Sequence, residues 1–415
     1  MPEIVPFRGL HYNTDRFGTD WSALVAPPYD VLDEHGKAEL LARSDRNIVC
    51  VDLPFVPPKS AGPDEVYARA AATLEHWRLD GTMVLDRSPA MYVYHQTYRW
   101  GGRSYTRRKF FARMRLEAFG AGGVFPHEQT FGGPKEDRLK LMQATRCQLS
   151  AIFGLYSDPD GSVTGLLDVG QREPDMVAEL EGVQDRLWVV TDERVTGQVG
   201  SLLRDKPIYI ADGHHRYGTA LTYRDRVTTV NGPLPQEHPA HYVLIGLCAM
   251  EDAGAIILPT HRVLSGFGSL PPQNVLEALK AGLRLAPVPA ADIDAIPGGD
   301  HDIALYAAFE DRFYAGSFTD RSVLDQLAPE RTTSWRRLDL AYLHRYLLDE
   351  LVTKQTLAGA APTLHYIKST GDAVADARAN NGIAILTKPC TMAELRAVSE
   401  AGDLMPQKST YFYPK

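Results

Sequence analysis

The sequence predicts a mixed α/β (α+β) protein, with a larger α/β core over residues 1–265 and a smaller α+β lobe over residues 266–415. Three observations point there. Short runs with strand-like alternation are interleaved with amphipathic segments at helical spacing along the whole chain. A content of 44% hydrophobic and 23% charged residues over 415 positions is that of a chain that buries a substantial core. The stretch "SGFGSLPPQ" after Leu264 has the glycine and proline content of a linker.

In chain order, "LVAPPYDVLDEHGKAELLA" reads as a loop ending in a short helix, and "NIVCVDLPFVPP" as a strand running into a linker. "PDEVYARAAATLEHWRLDG" is an amphipathic helix, with Val66, Ala70, Leu74 and Trp77 on one face and Gly81 just past its end. "PAMYVYHQTYRW" and "RRKFFARMRLEAF" form a hairpin turned at "GGRS". A helix in "KEDRLKLMQATRCQL" and strands in "SAIFGLYS", "RLWVVTDE" and "KPIYIADG" follow, the last turning into the helix of "HHRYGTALTYRDRV". "HYVLIGLCAMEDAGAIILPTHRVL" reads as two apolar strands. The lobe alternates helix, hairpin, helix, two strands and a last helix, where Thr391 and Glu394 make a capping box. The tail "MPQKSTYFYPK" carries three aromatics and is expected to dock back on the core.

The net charge of −8 argues against nucleic acid as the main partner. Cys50, Cys147, Cys248 and Cys390 lie far apart with no CxxC pair, as reduced thiols do. No secretory signal is visible, and the longest apolar runs are about half of what a membrane-spanning helix needs. A cytoplasmic protein with no membrane partner is expected; a homodimer is left open.

The densest chemistry lies in "YIADGHHRYGTAL", where Asp212, Gly213, His214, His215 and Arg216 occupy a strand-to-helix turn. A helix N-terminus attracts phosphate and carboxylate, and an arginine there adds a two-pronged donor. Asp212 is placed to hold Mg²⁺ or to orient a histidine. The same stretch also fits a capped helix with solvated histidines. Zinc is disfavoured, because His214 and His215 point about 100° apart on a helix. A second cluster, "VFPHEQTFGGPKEDRLKLM", offers His127 and Glu128 as acid–base groups and Lys135 and Arg138 as phosphate ligands, or simply a charged helix start. Asp30 in "APPYDVL" is a candidate base or a turn cap. Lys408, Ser409 and Thr410 in the tail offer a cation and two hydroxyls, or a plain strand. The sequence has no GxxxxGK[ST], GxSxG or HExxH motif.

"VAPPYDVL", "PHEQTFGGPKEDRLKLM", "SAIFGLY", "IYIADGHHRYGTAL", "ILPTHRVL", "LDLAYLH" and "MPQKSTYFYPK" together resemble the bacterial family catalogued as domain of unknown function 1015, in matching order along the chain. More distantly, the DGHHR turn is similar to the turn of the ParB/sulfiredoxin superfamily, which includes free-serine kinases. That resemblance implies a ParB/sulfiredoxin-like core in which Asp212 to Arg216 hold phosphates and Asp30, or else Glu128, is the general base. His214 stands where sulfiredoxin has its catalytic cysteine, so reductase activity is not implied. "TRCQLS" departs from the family, which has an asparagine before "SAIFGLY".

The expected function is therefore a serine-kinase-like phosphotransferase. It would act on the hydroxyl of serine or a related small compound, with Mg²⁺ and ATP, ADP or pyrophosphate as donor. The alternatives are a phosphatase of a small phosphorylated metabolite such as phosphoserine, and a nucleotide-binding regulator.

Overall fold

The computed structural model describes residues 2–58, 60–120, 122–128, 132–290, 293, 296 and 301–415, with only the backbone of 132–134. It is a mixed α/β protein in two compact units: Met1–Ile256 with Pro414–Lys415, and Ile257–Tyr413.

The first unit is built on a nine-stranded sheet. Its strands run in the order Val124–Phe125, Ile208–Asp212, Ile152–Tyr156, Tyr242–Ala249, Arg103–Arg115, Met91–Trp100, Val183–Val190 and Met176–Leu180, with Ile4–Val5 added alongside Arg103–Arg115. The hairpin forms as its alternation predicts, with Met91–Trp100 antiparallel to Arg103–Arg115. One face is the core, where Phe110, Ala112 and Met114 meet Val93, Ile208, Ile210, Ile245 and Leu247. Tyr217 and Ala220 of the helix His214–Asn231 pack into the same cluster and so anchor that helix to the sheet. The helix Asp64–Leu79 buries Tyr67, Ala70, Leu74 and Trp77, the face that its spacing gives.

"NIVCVD" departs from the expected strand: Val49–Asp52 is a short helix. Asn47 decides this. Its Oδ1 accepts from the Val49 N–H at 3.0 Å, and its Nδ2 donates to the carbonyls of Ala23 and Val25 at 2.9 and 2.8 Å. An asparagine that caps in this way draws the backbone out of extended geometry.

The second unit holds a six-stranded sheet in the order Leu283–Val288, Arg312–Phe318, Ile303–Ala307, Ile383–Thr387, His261–Ser265 and Thr363–Ile367. His261–Ser265 pairs within this sheet, so the division between units falls before that strand, ahead of "SGFGSLPPQ". Arg262 is fully buried and, among the described residues, has no carboxylate partner; it donates to His344 Nε2 at 3.1 Å and to the carbonyls of Thr260, Gln407 and Lys408. The Thr391–Glu394 capping box is formed. Among the described residues, no helix is long and apolar enough to cross a membrane.

Candidate functional site

Four buried residues, Ile208 to Ala211, carry the strand to its end at Asp212, and the register against Ile152–Tyr156 shifts between Ile210 and Asp212. Such an irregularity re-aims a side chain. The chain then turns at Gly213, which has φ 91° and ψ 26° and starts the helix His214–Asn231. Only glycine takes this conformation without strain, and a Cβ here would lie 3.0 Å from both Arg216 Nε and Ile152 Cγ2. Gly213, at the N-cap, has no side chain to cap the helix.

Charge collects at this turn. Arg216 Nη2 donates to Asp212 Oδ2 at 2.7 Å, while Nη1 donates to the Ala151 carbonyl. Lys415 donates to the other Asp212 oxygen, Oδ1, at 2.5 Å. Burial alone would raise the Asp212 carboxyl, but Lys415 and Arg216 beside it hold it well below the usual carboxylate range. Lys135 lies along the second turn of the same helix: its Nζ is 3.3 Å from where a Cβ on Gly218 would stand. Glycine at 218 is what gives that ammonium its place. Two cations thus gather on one carboxylate at the helix N-terminus, and a third stands one turn along the helix.

The histidine pair completes one wall. His127 Nδ1 lies 2.7 Å from the Ile210 carbonyl, which makes that nitrogen the protonated one. The His127 backbone N–H donates to His214 Nε2 at 3.2 Å, so His214 carries its proton on Nδ1. That nitrogen faces Glu128 Oε2 at 3.8 Å. The two rings meet edge to face with centroids 4.6 Å apart. Burial pushes His127 down to about 4, and burial with the neighbouring His127 also pushes His214 down, so both are neutral near pH 7.

A pH dependence of stability follows from His127. Its unfolded pKa is about 6.5, above the folded value, so the unfolded chain binds more protons and stability falls on acidification. The contribution is complete above pH 6.5 and is lost as pH drops toward 4. Between pH 6.5 and 5 the wild type is expected to lose ~2 kcal/mol through this group, and His127→Asn to show a flatter profile in thermal melts.

Arg138 does not stand free as a phosphate ligand. It is buried and donates to Asp137 Oδ2 at 2.7 Å, to the Asp52 carbonyl at 2.7 Å and to Asp52 Oδ1 at 3.2 Å. Ser150 Oγ and Tyr67 Oη donate to the same two carboxylates. The Tyr29 ring lies 3.9 Å from the guanidinium carbon, and burial pushes its phenol up to about 12 against the pull of Arg138 and Arg216. The cluster therefore packs on the short 3₁₀ turn Tyr29–Val31, whose Tyr29 lies within electrostatic range of Arg216. A cavity of about 30 Å³, lined by Asp52, Arg138, Ser150 and Arg216, joins the two clusters.

His215 is half-buried in the first helical turn. Lys408, Ser409 and Thr410 belong to the second unit, where Ser409 is buried and bonded to the Pro406 carbonyl. The tail residue that reaches the turn is Lys415, which sequence reasoning passed over. Asp212 does not fit Mg²⁺, because each of its oxygens is taken by a cation. Among the described residues, no group of three His, Cys, Asp or Glu side chains is disposed to hold a metal ion.

No curated protein matches the chain. Solved structures similar to it include a free serine kinase in complex with AMP, 15% identical with a TM-score of 0.33, covering 70% of this chain and 83% of that one. A conserved hypothetical protein from Pyrococcus furiosus is 15% identical with a TM-score of 0.32, covering 70% and 87%. SbnI from Staphylococcus aureus, with a C-terminal truncation, is 10% identical with a TM-score of 0.34, covering 70% and 79%. The family model described as protein of unknown function (DUF1015) matches residues 4–341, and the chain belongs to that family.

Proposed function

We propose that this protein is a phosphotransferase that moves a phosphoryl group from a nucleotide or pyrophosphate to the hydroxyl of a small metabolite. The observation that carries the reading is the turn itself: Arg216 and Lys415 converge on Asp212 at the N-terminus that follows Gly213, and Lys135 lies beside Gly218 one turn further along the same helix. Phosphoryl transfer asks a protein mainly for positioning and charge neutralisation, and this turn supplies both. Asp212 holds two of the cations in place before a substrate arrives, which lowers the ordering cost of binding. The resemblance of the turn to the ParB/sulfiredoxin superfamily supports the same reading.

In the step, the acceptor oxygen attacks the terminal phosphorus, the bridging P–O bond breaks, and the donor leaves with its electron pair. The hydroxyl proton passes to a carboxylate. Glu128 is half-exposed beside the His214 Nδ1–H, and Asp30 follows Tyr29, on which the Arg138 cluster packs; these are the two bases of the reading. His214, neutral and oriented by the His127 N–H, positions Glu128. No divalent cation is assigned to Asp212, and Lys408, Ser409 and Thr410 are assigned no step.

The test is product analysis by mass spectrometry after incubation with Mg²⁺, each of ATP, ADP and pyrophosphate, and a mixture of small hydroxy compounds including serine. A phosphorylated acceptor appearing with consumption of the donor is the expected result. Phosphate released from phosphoserine with no donor present would place the chain among phosphatases. Thermal stabilisation by nucleotide without turnover would place it among regulators. Either outcome overturns the transferase reading.

A further inference from the structure

The strand Arg103–Arg115 shows the core Phe110, Ala112 and Met114, and its odd-numbered residues face the other way. Among these, Lys109 is enclosed by rings. Its Nζ lies 4.7 Å from the Tyr94 centroid and 5.6 Å from those of Phe111 and Phe153. Gly246 makes the room, since a Cβ there would come within 3.0 Å of Phe111 and 3.7 Å of Lys109 Cδ. Among the described residues the ammonium has no hydrogen bond and no carboxylate at ion-pair distance. Arg107 beside it is committed to Gln96 and to the Pro414 carbonyl, and the Asp185 carboxylate accepts from Tyr94 Oη at 2.5 Å. A cation walled by aromatics and left without a counter-ion is an incomplete site, because desolvating a charge is costly unless it is paired.

The cage borders the Gly213 turn. Phe153, against whose ring Lys109 and Arg107 both lie, is the register partner of Asp212. Pro414 contacts Arg107, and the next residue, Lys415, holds Asp212. We propose that Lys109 seats a carboxylate of the acceptor, so that the acceptors are small hydroxy acids. The naming of an acceptor rests on the phosphotransferase reading; the carboxylate seat does not.

The seat is proton-linked. Burial and Arg107 push Lys109 down to about 7, with Arg216 adding to this while Asp185 and Cys248 pull the other way. A bound carboxylate restores the preference for the charged form, so binding takes up a proton and weakens as pH rises above 7.

Isothermal titration of the full chain, saturated with pyrophosphate, tests this with glycerate and L-serine against glycerol and serinamide. The acids are expected to bind at least tenfold more tightly than the partners that lack a carboxylate. Their affinity should fall about 25-fold from pH 6.5 to 8.5, following the protonated fraction of an amine near pH 7. Lys109→Met should erase the preference for acids, and Lys109→Arg should keep it while flattening the pH profile. Acid and neutral ligands binding wild type equally, or Lys109→Met binding the acids as wild type does, overturns the proposal. Pyrophosphate titrated alone separates the two claims. Unchanged pyrophosphate binding in Lys109→Met shows that variant to be folded, and wild type that binds the acids but none of pyrophosphate, ATP and ADP sinks the transferase reading alone.

Discussion

Replacing Arg216 by alanine is expected to lower phosphoryl transfer by about 10²–10³-fold, the usual consequence of deleting one preorganised donor to developing charge. The guanidinium is fixed from two sides, by the Asp212 carboxylate and by the Ala151 carbonyl, so it meets a phosphate without first having to be ordered. Arg216→Lys keeps the charge but loses the planar fork, and should recover only part of the loss. Stability is a separate matter. Asp212 keeps Lys415 as its partner in either variant, so the thermal midpoint should stay close to that of wild type. Steady-state rates with saturating donor, measured beside melting curves, check both halves. A rate for Arg216→Ala equal to wild type would remove this arginine from the chemistry.

Arg138→Ala is expected to act the other way, on the fold first. The arginine lies between Asp52 and Asp137, and all three are buried. Removing a buried cation leaves its carboxylates uncompensated, at a cost of about 3–5 kcal/mol. In a unit of this size that lowers the melting transition by roughly 10 °C, as calorimetry would record. The same change frees the Tyr29 ring, so transfer should also weaken at temperatures where the protein is still folded. Arg138→Lys keeps a charge but not the fork that reaches both acids, and should fall between the two. A melting transition unmoved by Arg138→Ala would mean that the cluster does not hold the structure together.

The strand-turn-helix around Gly213 was legible in the sequence because its cues are local. Apolar residues run up to Asp212, glycine marks the left-handed position, and Tyr217, Ala220 and Leu221 repeat at helical spacing. The hairpin and the Asp64–Leu79 helix were legible for the same reason. "NIVCVD" was misread because its apolar content outweighed a single capping asparagine. Arg138 looked like a ligand because nothing near it in sequence reveals Asp52, which is 86 residues away. Lys415 was invisible in the same sense: its partner Asp212 lies 203 residues earlier. Lys109 sits in a stretch whose alternation foretold a strand, but no local pattern announces that three rings from three strands will close around its ammonium. Periodicity reports which face a residue takes; it does not report who stands opposite.

The most direct test of the proposed phosphate site at this turn is diffraction from crystals of the full chain soaked with pyrophosphate. The account predicts density for the anion at the N–H groups of His214, His215 and Arg216, touched by the Arg216 guanidinium and the Lys415 ammonium. A pyrophosphate ordered elsewhere on the protein, with Asp212 still holding both cations and the helix N-terminus bare, would contradict it.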